Sequence, residues 1–263
     1  MSTTLRKERE KRPYTYLVPF LGFFALLLVW DVLARFSGWS RQVFPGPVVV
    51  LVSMGELVAD GTLVRHTVAS LFRVTVGFYL AALLGIPMGI ALGMMKNTRS
   101  LINPLIQFLR PISPLAWIPL AMLWFGIGDP PAIFLIFLSS FFPLVVSTTI
   151  AVDGINPTYF HVAANFNFSR AETIARLVVP AIIPEVVTAL RMTVTISWLV
   201  VVAAEMIAVQ SGLGFLILDS RNALRMDYVM DGMVVIGLVG LTLDFLMRRL
   251  GALEAASWRQ MTH

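Results

Sequence analysis

Long apolar runs separated by short polar segments make up most of this chain of 263 residues. None of the runs alternates strictly between apolar and polar positions, and each exceeds the roughly ten residues of a barrel strand, so helices are predicted. A helix needs about 20 mostly apolar residues to cross a bilayer. The candidate spans are residues 14–33, 73–95, 101–125, 131–152, 180–209 and 230–247. We therefore predict an all-α polytopic membrane protein with about six transmembrane helices.

The composition agrees with a membrane protein and excludes several other classes. Hydrophobic residues make up 57% of the chain and charged residues only 13%, about half the charged fraction of a soluble domain. Without cysteine the chain forms neither a disulfide scaffold nor a thiolate metal site. Its histidines, His66, His161 and His263, lie outside the candidate spans and match no zinc motif, so no metal is expected. The basic residues are spread along the chain, which argues against a nucleic-acid surface.

The distribution of Lys and Arg predicts the orientation of the chain. Residues 1–13 carry five basic residues ahead of the first span, as a signal peptide does, but the apolar stretch is long and lacks a cleavage site. We interpret that span as an uncleaved anchor. With the N-terminus inside, the cytoplasmic segments hold twelve basic residues and the outer segments five. The prediction is a cytoplasmic segment at 1–13 and one transmembrane domain at 14–263, with both termini cytoplasmic.

One polar loop, residues 153–179, is unusually long and contains several aromatic residues. Asn156 followed by Pro157 is a typical helix start, and Ser169 and Glu172 have the spacing of a capping box. We expect two short cytoplasmic helices in this loop. They either lie on lipid headgroups or dock onto a cytoplasmic partner.

This loop resembles the Glu-Ala-Ala loop of the transmembrane subunits of binding-protein-dependent ATP-binding-cassette (ABC) importers. In that family the pattern is Glu-Ala-Ala, three residues, Gly, nine residues and Ile-x-Leu-Pro. The residues at those positions, without a gap, are His161, Val162, Ala163, Asn167, Leu177, Val179 and Pro180. His161 replaces the Glu, and Asn167 replaces the Gly with a residue that also tolerates the left-handed conformation.

Most of the chain from Phe44 onward resembles the nitrate, sulfonate, taurine and bicarbonate branch of this family. The resemblance is specific at residues 44–47, 109–144 and 189–206, and in the stretches SGLGFLI and DGMVVIGLVGLTLD. It implies a type I ABC importer permease of the bacterial inner membrane that carries a small anion and is itself no enzyme. It also implies three kinds of partner: a second permease copy, two cytoplasmic ATPase subunits and an extracytoplasmic binding protein. ATP and Mg would be bound by the ATPase, since this chain contains no G-x-x-x-x-G-K-[ST] sequence.

The resemblance also implies that the loop couples the permease to its ATPase, because a packed helix transmits a shift as a rigid body. Tyr159, Phe160 and Phe166 are expected to supply apolar contacts, and Arg170 a polar one. The candidate coupling residues are Tyr159, Phe160, His161, Val162, Ala163, Asn167, Ser169, Arg170 and Pro180.

Charged residues inside the spans are costly and mark candidate pathway positions. Arg110 lies beside Pro111, Pro114 and Pro119, which should interrupt the third helix. Unwound backbone at membrane depth is tolerated where it lines a cavity, so residues 110–119 are the first candidate lining, with Trp117 as a gate. The alternatives are that Arg110 reaches for the membrane edge and that Trp117 serves helix packing.

The fifth span contains four further candidates. Arg191 is either an anion contact or part of a salt bridge that holds the loop. Glu205 would repel a free anion unless it is paired, so a gating or structural role is expected. The candidate pathway and gate residues are Arg110, Pro114, Trp117, Arg191, Ser197, Trp198 and Glu205.

Small residues and one short apolar stretch complete the predictions. Gly85, Gly89 and Gly93 recur every four residues, which lets helices approach closely, either between two subunits or within one. Residues 213–218 are either a re-entrant piece or a lid that meets the binding protein. An alternative function is an ion-gradient-driven secondary transporter or channel, but the internal repeats that many such transporters show are not found in the six spans.

Overall fold

The structure is a computed structural model that describes residues 14–40 and 42–261, so the predicted N-terminal segment 1–13 lies outside the described residues. In the described part the chain folds into α-helices and no β-strand. The helices are Tyr14–Phe36 (α1), Pro47–Ala59 (α2), Thr62–Met94 (α3), Lys96–Leu109 (α4), Ile118–Phe125 (α5), Asp129–Asp153 (α6), Pro157–Asn165 (α7), Arg170–Thr173 (α8), Val179–Ala208 (α9), Leu213–Asn222 (α10) and Met226–Met261 (α11).

Four helical segments in the described residues are long and apolar enough to cross a membrane: Thr62–Met94, Asp129–Asp153, Arg170–Ala208 and Met226–Arg249. They correspond to the second, fourth, fifth and sixth predicted spans. The second span begins eleven residues before the predicted position 73, because α3 starts at Thr62. The first predicted span coincides with α1, which is 23 residues long.

The third predicted span, residues 101–125, is wrong as a single helix. After α4 the backbone forms a turn at residues 110–113, then a short 3-10 helix at Pro114–Trp117, and only then α5. Proline lacks the amide hydrogen that an α-helix requires, and Pro111 and Pro114 fall at this break. The interruption expected from the prolines is therefore present, and it leaves α5 only eight residues long.

The long helices differ in how deeply they are buried, which places them in the bundle. In the most apolar part of α6 and of α9, 44% of the residues are buried, against 33% in α3 and 11% in α11. Helices α6 and α9 therefore form the centre of the bundle, and α11 lies at its edge. The short helix α10 is also part of the core, since Leu213 and Leu216 pack with Trp198 and Val201. Residues 213–218 are thus a packed helix of the bundle and not a separate lid.

Helices α3 and α6 approach each other closely along a line of small residues. Gly85, Gly89 and Gly93 face α6, and Gly77 and Ala81 continue the same line at four-residue intervals. A Cβ atom on Gly89 would lie 2.6 Å from the Thr148 Cβ, and one on Gly93 would lie 2.5 Å from the Val152 Cβ. The glycine repeat is therefore a contact within one subunit, the second of the two alternatives that the sequence left open.

We expect Gly89→Ala to destabilise the protein by about 1–3 kcal/mol, because the added methyl group overpacks the contact between α3 and α6. Gly237→Ala is the matched control, since a Cβ at Gly237 in α11 meets no atom within 4 Å. The measurement is the midpoint of thermal unfolding in mild detergent. Equal midpoints for the two variants would contradict the packing described here.

Candidate functional site

Residues 153–179, called the coupling segment after the role predicted for them, connect the end of α6 to the start of α9. The Asn156 side chain caps α7 by accepting a hydrogen bond from the Thr158 amide at 2.9 Å. Ser169 and Glu172 form the predicted capping box at the start of α8. The two predicted helix starts are therefore confirmed. The second helix is not separate, however, because α8 continues through a π turn at Ile174–Val178 into α9.

A left-handed residue makes the turn between α7 and α8. Asn167, at the position where the family pattern has Gly, has a φ angle of +56°. The following amide, on Phe168, donates to the Ala163 carbonyl oxygen at 3.0 Å, which closes the end of α7. Asn is one of the few residues that adopt this conformation at low cost. The turn is therefore retained without glycine.

The coupling segment has an exposed apolar face and a buried one. Tyr159, Val162 and Phe166 are 58%, 44% and 72% exposed. Ala163 is buried, and Phe160 packs onto the core cluster at the base of α6 and α9. Phe160 was expected to contact a partner together with Tyr159 and Phe166, but it anchors the segment to the bundle instead.

The polar candidates of this segment are exposed. His161 and Arg170 are both exposed, and in the chain they lie within four residues of the exposed apolar residues. Pro180 is half-buried in the first turn of α9, where a proline needs no amide hydrogen. This end of the bundle therefore presents aromatic, aliphatic and basic groups together.

The break between α4 and α5 lines a cavity. Arg110, Pro114 and Trp117 lie around a cavity of about 220 Å³, together with residues of α6 and α9 such as Ser139 and Ile196. Arg110 also lines a second cavity of about 270 Å³ between α4 and α6. The structure therefore brings together the three candidates that the sequence placed in the interrupted third span.

Three further candidates in α9, namely Arg191, Ser197 and Trp198, connect α9 to neighbouring helices. The Arg191 Nε lies 3.6 Å from the Asp244 Oδ1 in α11, so the partner of Arg191 is α11 and not the coupling segment. The Ser197 hydroxyl lies 2.6 Å from the Ser140 hydroxyl in α6. Trp198 donates from its indole nitrogen to the Ile236 carbonyl oxygen at 3.0 Å. In the described part of the chain, none of these three side chains lines either of the two cavities beside Arg110.

Glu205 is paired, as an acid at that depth has to be. Its side chain is fully buried, and its Oε1 lies 2.6 Å from the Nη1 of Arg73 in α3. Arg73 is 2% exposed and also contacts Asp129, the first residue of α6, with 2.7 Å between Nη2 and Oδ1. The guanidinium further donates to the carbonyl and hydroxyl oxygens of Ser211, in the loop after α9. One arginine thus joins α3, α6, α9 and the following loop.

The same network caps α10. The first four amides of a helix have no partner within the helix. At the start of α10 the amide of the N-cap residue Gly212 donates to His66 Nδ1, and the Leu213 amide donates to the Ser70 hydroxyl, both at 2.9 Å. The Gly214 amide donates to Glu205 Oε2 at 3.0 Å. Side chains of α3 and α9 therefore fix where α10 begins.

Sequence reasoning missed most of this network. Only Glu205 was a candidate, and Arg73 was placed at the edge of a span because the start of α3 was predicted too late. A signal was present, since His66, Ser70 and Arg73 are spaced by four and three residues and lie on one helix face. A buried acid in one span also requires a basic partner in another.

The helical bundle, the interrupted helix beside a cavity and the capped loop at one end define a multi-pass membrane transport subunit. The family model described as "binding-protein-dependent transport system inner membrane component" matches residues 81–259. The chain belongs to this family.

Three relatives match over most of the chain. A putative aliphatic sulfonates transport permease of Bacillus subtilis is 32% identical and covers 97% of this chain and 92% of its own length. The taurine transport system permease of Escherichia coli is 35% identical, covering 88% of this chain and 86% of its own. The nitrate import permease of Synechocystis is 34% identical, and the match covers 91% of this chain and 92% of that permease. The chain thus lies in the branch of ABC permeases that its sequence resembles.

The fold is also that of a solved transporter. A chain of the MetNI methionine ABC transporter, in an inward-facing conformation, superposes with a TM-score of 0.65 at 15% sequence identity. The match covers 73% of this chain and 95% of that one. The predicted fold class, an all-α importer permease, is therefore confirmed, with the third span corrected.

Glu205→Gln is expected to destabilise the protein by about 3 kcal/mol or more, because it removes a buried partner from the buried guanidinium of Arg73. Glu56→Gln is the matched control: the Glu56 side chain is 60% exposed, and its pair with Arg225 is 3.9 Å long. An exposed pair of this kind contributes at most about 1 kcal/mol. Thermal unfolding in detergent measures both variants, and similar losses in the two would contradict the importance of the buried network.

Proposed function

We propose that this chain forms the translocation pathway of an ATP-driven importer for a small anion and is energised by a separate ATPase subunit. The observation that carries the proposal is the coupling segment, a capped helical loop that is anchored by Phe160 and exposes Tyr159, Val162 and Phe166. An amphipathic helix of this kind suits a groove on a partner protein. Membership of a binding-protein-dependent transport family whose relatives are named ABC transporter permeases supports an ATPase subunit as that partner.

The proposed assembly contains two copies of this permease, two cytoplasmic ATPase subunits that bind ATP and Mg, and an extracytoplasmic binding protein. The presence of a binding protein in this assembly is supported by the family's description as a component of a binding-protein-dependent transport system. The absence of a G-x-x-x-x-G-K-[ST] sequence from this chain supports a separate ATPase. The apolar residues on the outside of the bundle suit membrane lipid and a second copy.

The proposed location is the inner membrane of a bacterium, with both termini and the coupling segment in the cytoplasm. The excess of basic residues in the segments on that side supports this orientation. The Arg73 network then lies toward the extracytoplasmic side, because α6 and α9 run from the coupling segment to that network.

The proposed substrates are taurine, alkanesulfonates, nitrate and bicarbonate. The names of the relatives support this class, and every member carries a negatively charged oxygen group at neutral pH, which in taurine is accompanied by an ammonium group. Arg110 supplies a positive charge at the cavity of the broken helix, whereas Arg73 is already engaged by two carboxylates. Arg110, with Pro114 and Trp117 beside it, is therefore the proposed anion contact of the pathway.

Phe166→Asp is expected to weaken binding of the ATPase, because it places a charge at the most exposed residue of the apolar face. The amount of ATPase that co-purifies with the tagged permease from its native membrane should fall by roughly tenfold or more, as for an interface aromatic. Leu224→Asp is the control, since Leu224 is 75% exposed at the opposite end of the bundle. Undiminished co-purification with Phe166→Asp would contradict the proposed docking.

Arg110→Gln is expected to lower the rate of ATP-dependent taurine or nitrate uptake at subsaturating substrate by roughly tenfold, because it removes a hydrogen bond between charged groups that binds the substrate. ATPase binding should be unchanged, because no residue of the coupling segment lines either cavity beside Arg110. Arg221→Gln, at an exposed position of α10, is the matched control. The measurement is uptake into vesicles that hold the complete complex, and a rate equal to that of the control would argue against a pathway role.

A further inference from the structure

A cavity of about 500 Å³ lies between the end of α1 and the start of α2. Its lining includes the charged residues Asp31 and Arg35 of α1, Trp39 of the following loop, and Gly46, Val48 and Val49 at the start of α2. A cavity of this volume has the size of a pocket for a small ligand or a headgroup. None of these residues lines the cavities beside Arg110, so this is a separate site.

The cavity is shaped by residues 44–47, the stretch FPGP, which neither the pathway nor the coupling segment uses. Trp30 in α1 donates from its indole nitrogen to the Pro45 carbonyl oxygen at 3.1 Å, which holds the stretch against α1. A Cβ atom on Gly46 would lie 3.6 Å from the Asp31 Oδ1. A longer side chain at Gly46 would therefore fill the space beside Asp31, and the glycine keeps the cavity open.

The position of the cavity along α1 is that of the membrane surface. Asp31 and Arg35 lie in the last two turns of α1, where its apolar span ends. Trp39 follows, is 62% exposed, and meets the Phe44 ring edge-on with 5.6 Å between the ring centroids. Tryptophan and basic residues at the end of a span are typical of the headgroup level of a bilayer. Under the proposed orientation of the chain, this is the outer leaflet.

The two charged residues of the cavity present groups of opposite sign to a ligand. The Arg35 Nε lies 2.8 Å from the Asp31 Oδ2, and the two side chains are 66% and 31% exposed. Within the described residues this is the only ion pair of either side chain, so the Arg35 Nη atoms and the Asp31 Oδ1 remain available. A guanidinium matches the geometry of a phosphate, and a carboxylate oxygen accepts from an ammonium group. The cavity therefore suits a zwitterionic headgroup.

Apolar surface continues from the cavity along both helices. In α1, Leu21, Phe24 and Leu28 are 64%, 66% and 53% exposed, and Leu28 lies on the same face as Asp31, three residues before it. In α2, Val52 is 61% exposed and lies one turn after the cavity. A membrane helix that exposes apolar side chains in this way is surrounded by lipid. The acyl chains of a lipid can thus lie along α1 and α2 while its headgroup occupies the cavity.

We propose that this cavity binds the headgroup of a phosphatidylethanolamine lipid, with Arg35 on the phosphate and Asp31 on the ammonium group. The bound lipid joins α1 to α2. Such a link matters for α1, because in the described part of the chain no α1 residue belongs to the buried core clusters of the bundle. The inference goes beyond the proposed function and does not depend on it, since it requires only a membrane-spanning bundle.

The test is native mass spectrometry of the full chain with its co-purifying subunits in detergent, titrated with phosphatidylethanolamine or with phosphatidylglycerol of identical acyl chains. The apparent affinity for the first lipid bound should be roughly fivefold higher for phosphatidylethanolamine, because phosphatidylglycerol lacks the ammonium group that pairs with Asp31. Arg35→Gln should weaken phosphatidylethanolamine binding roughly tenfold by removing a charged hydrogen bond. Asp31→Asn should remove the preference between the two lipids.

A second variant tests the site without changing a charge. Gly46→Leu should weaken binding of both lipids by filling the cavity, and its backbone angles, φ −78° and ψ 166°, are open to any residue. Arg221→Gln, which removes an exposed charge of α10 outside the cavity, is the control and should bind both lipids like the unaltered protein.

Three results would overturn the proposal. One is equal affinity of the unaltered protein for the two lipids, or a preference that survives in Asp31→Asn. The second is unchanged phosphatidylethanolamine binding in Arg35→Gln and Gly46→Leu. The third is competition by free phosphoethanolamine at the same concentration as the lipid, which would show that the cavity takes a soluble phosphate compound. Binding of the lipid alone, lost in the two variants, is the expected result.

Discussion

A buried guanidinium must be neutralised inside a membrane-spanning bundle, and this requirement fixes how four parts of the chain meet at Arg73. Two carboxylates and one loop residue surround it, from α6, α9 and the segment between α9 and α10. Replacing Glu205 or Arg73 alone leaves a buried charge behind, so the pair is retained or lost as a unit. The position of α10 depends on the same group, because Glu205 also caps its first turn. The end of the bundle at α10 is thus organised by electrostatics, whereas its middle is organised by close packing.

Close packing between α3 and α6 complements this arrangement. The line of small residues from Gly77 to Gly93 lets the two helices approach over four turns. Within this contact the Thr149 hydroxyl of α6 donates to the Gly89 carbonyl oxygen of α3 at 3.2 Å. Helix α6 is therefore fixed to α3 along its length and to α9 by Ser140 and Ser197 at its middle. The coupling segment joins these central helices at one end. A force applied there acts on helices that behave as rigid bodies.

Much of this fold could be predicted from local patterns, because apolar length, capping residues and glycine spacing act within a few turns. The start of α7 at Asn156, the capping box at Ser169 and the break near Pro114 all follow from nearby residues. The pairing of Arg73 with Glu205 could not be predicted in this way, since 132 residues separate them in the chain. The inward direction of Phe160 was missed for a related reason: it depends on residues of α6 and α9 that come together only in the fold.

The central claim is that Arg73 and Glu205 form one buried ion pair on which this end of the bundle depends. Its most direct test is the thermal unfolding of Arg73→Gln, Glu205→Gln and the double variant in mild detergent. The account predicts a large loss of stability for each single variant, because each leaves a buried charge without its partner, and a loss for the double variant that is smaller than the sum of the two. Losses that simply add would contradict it.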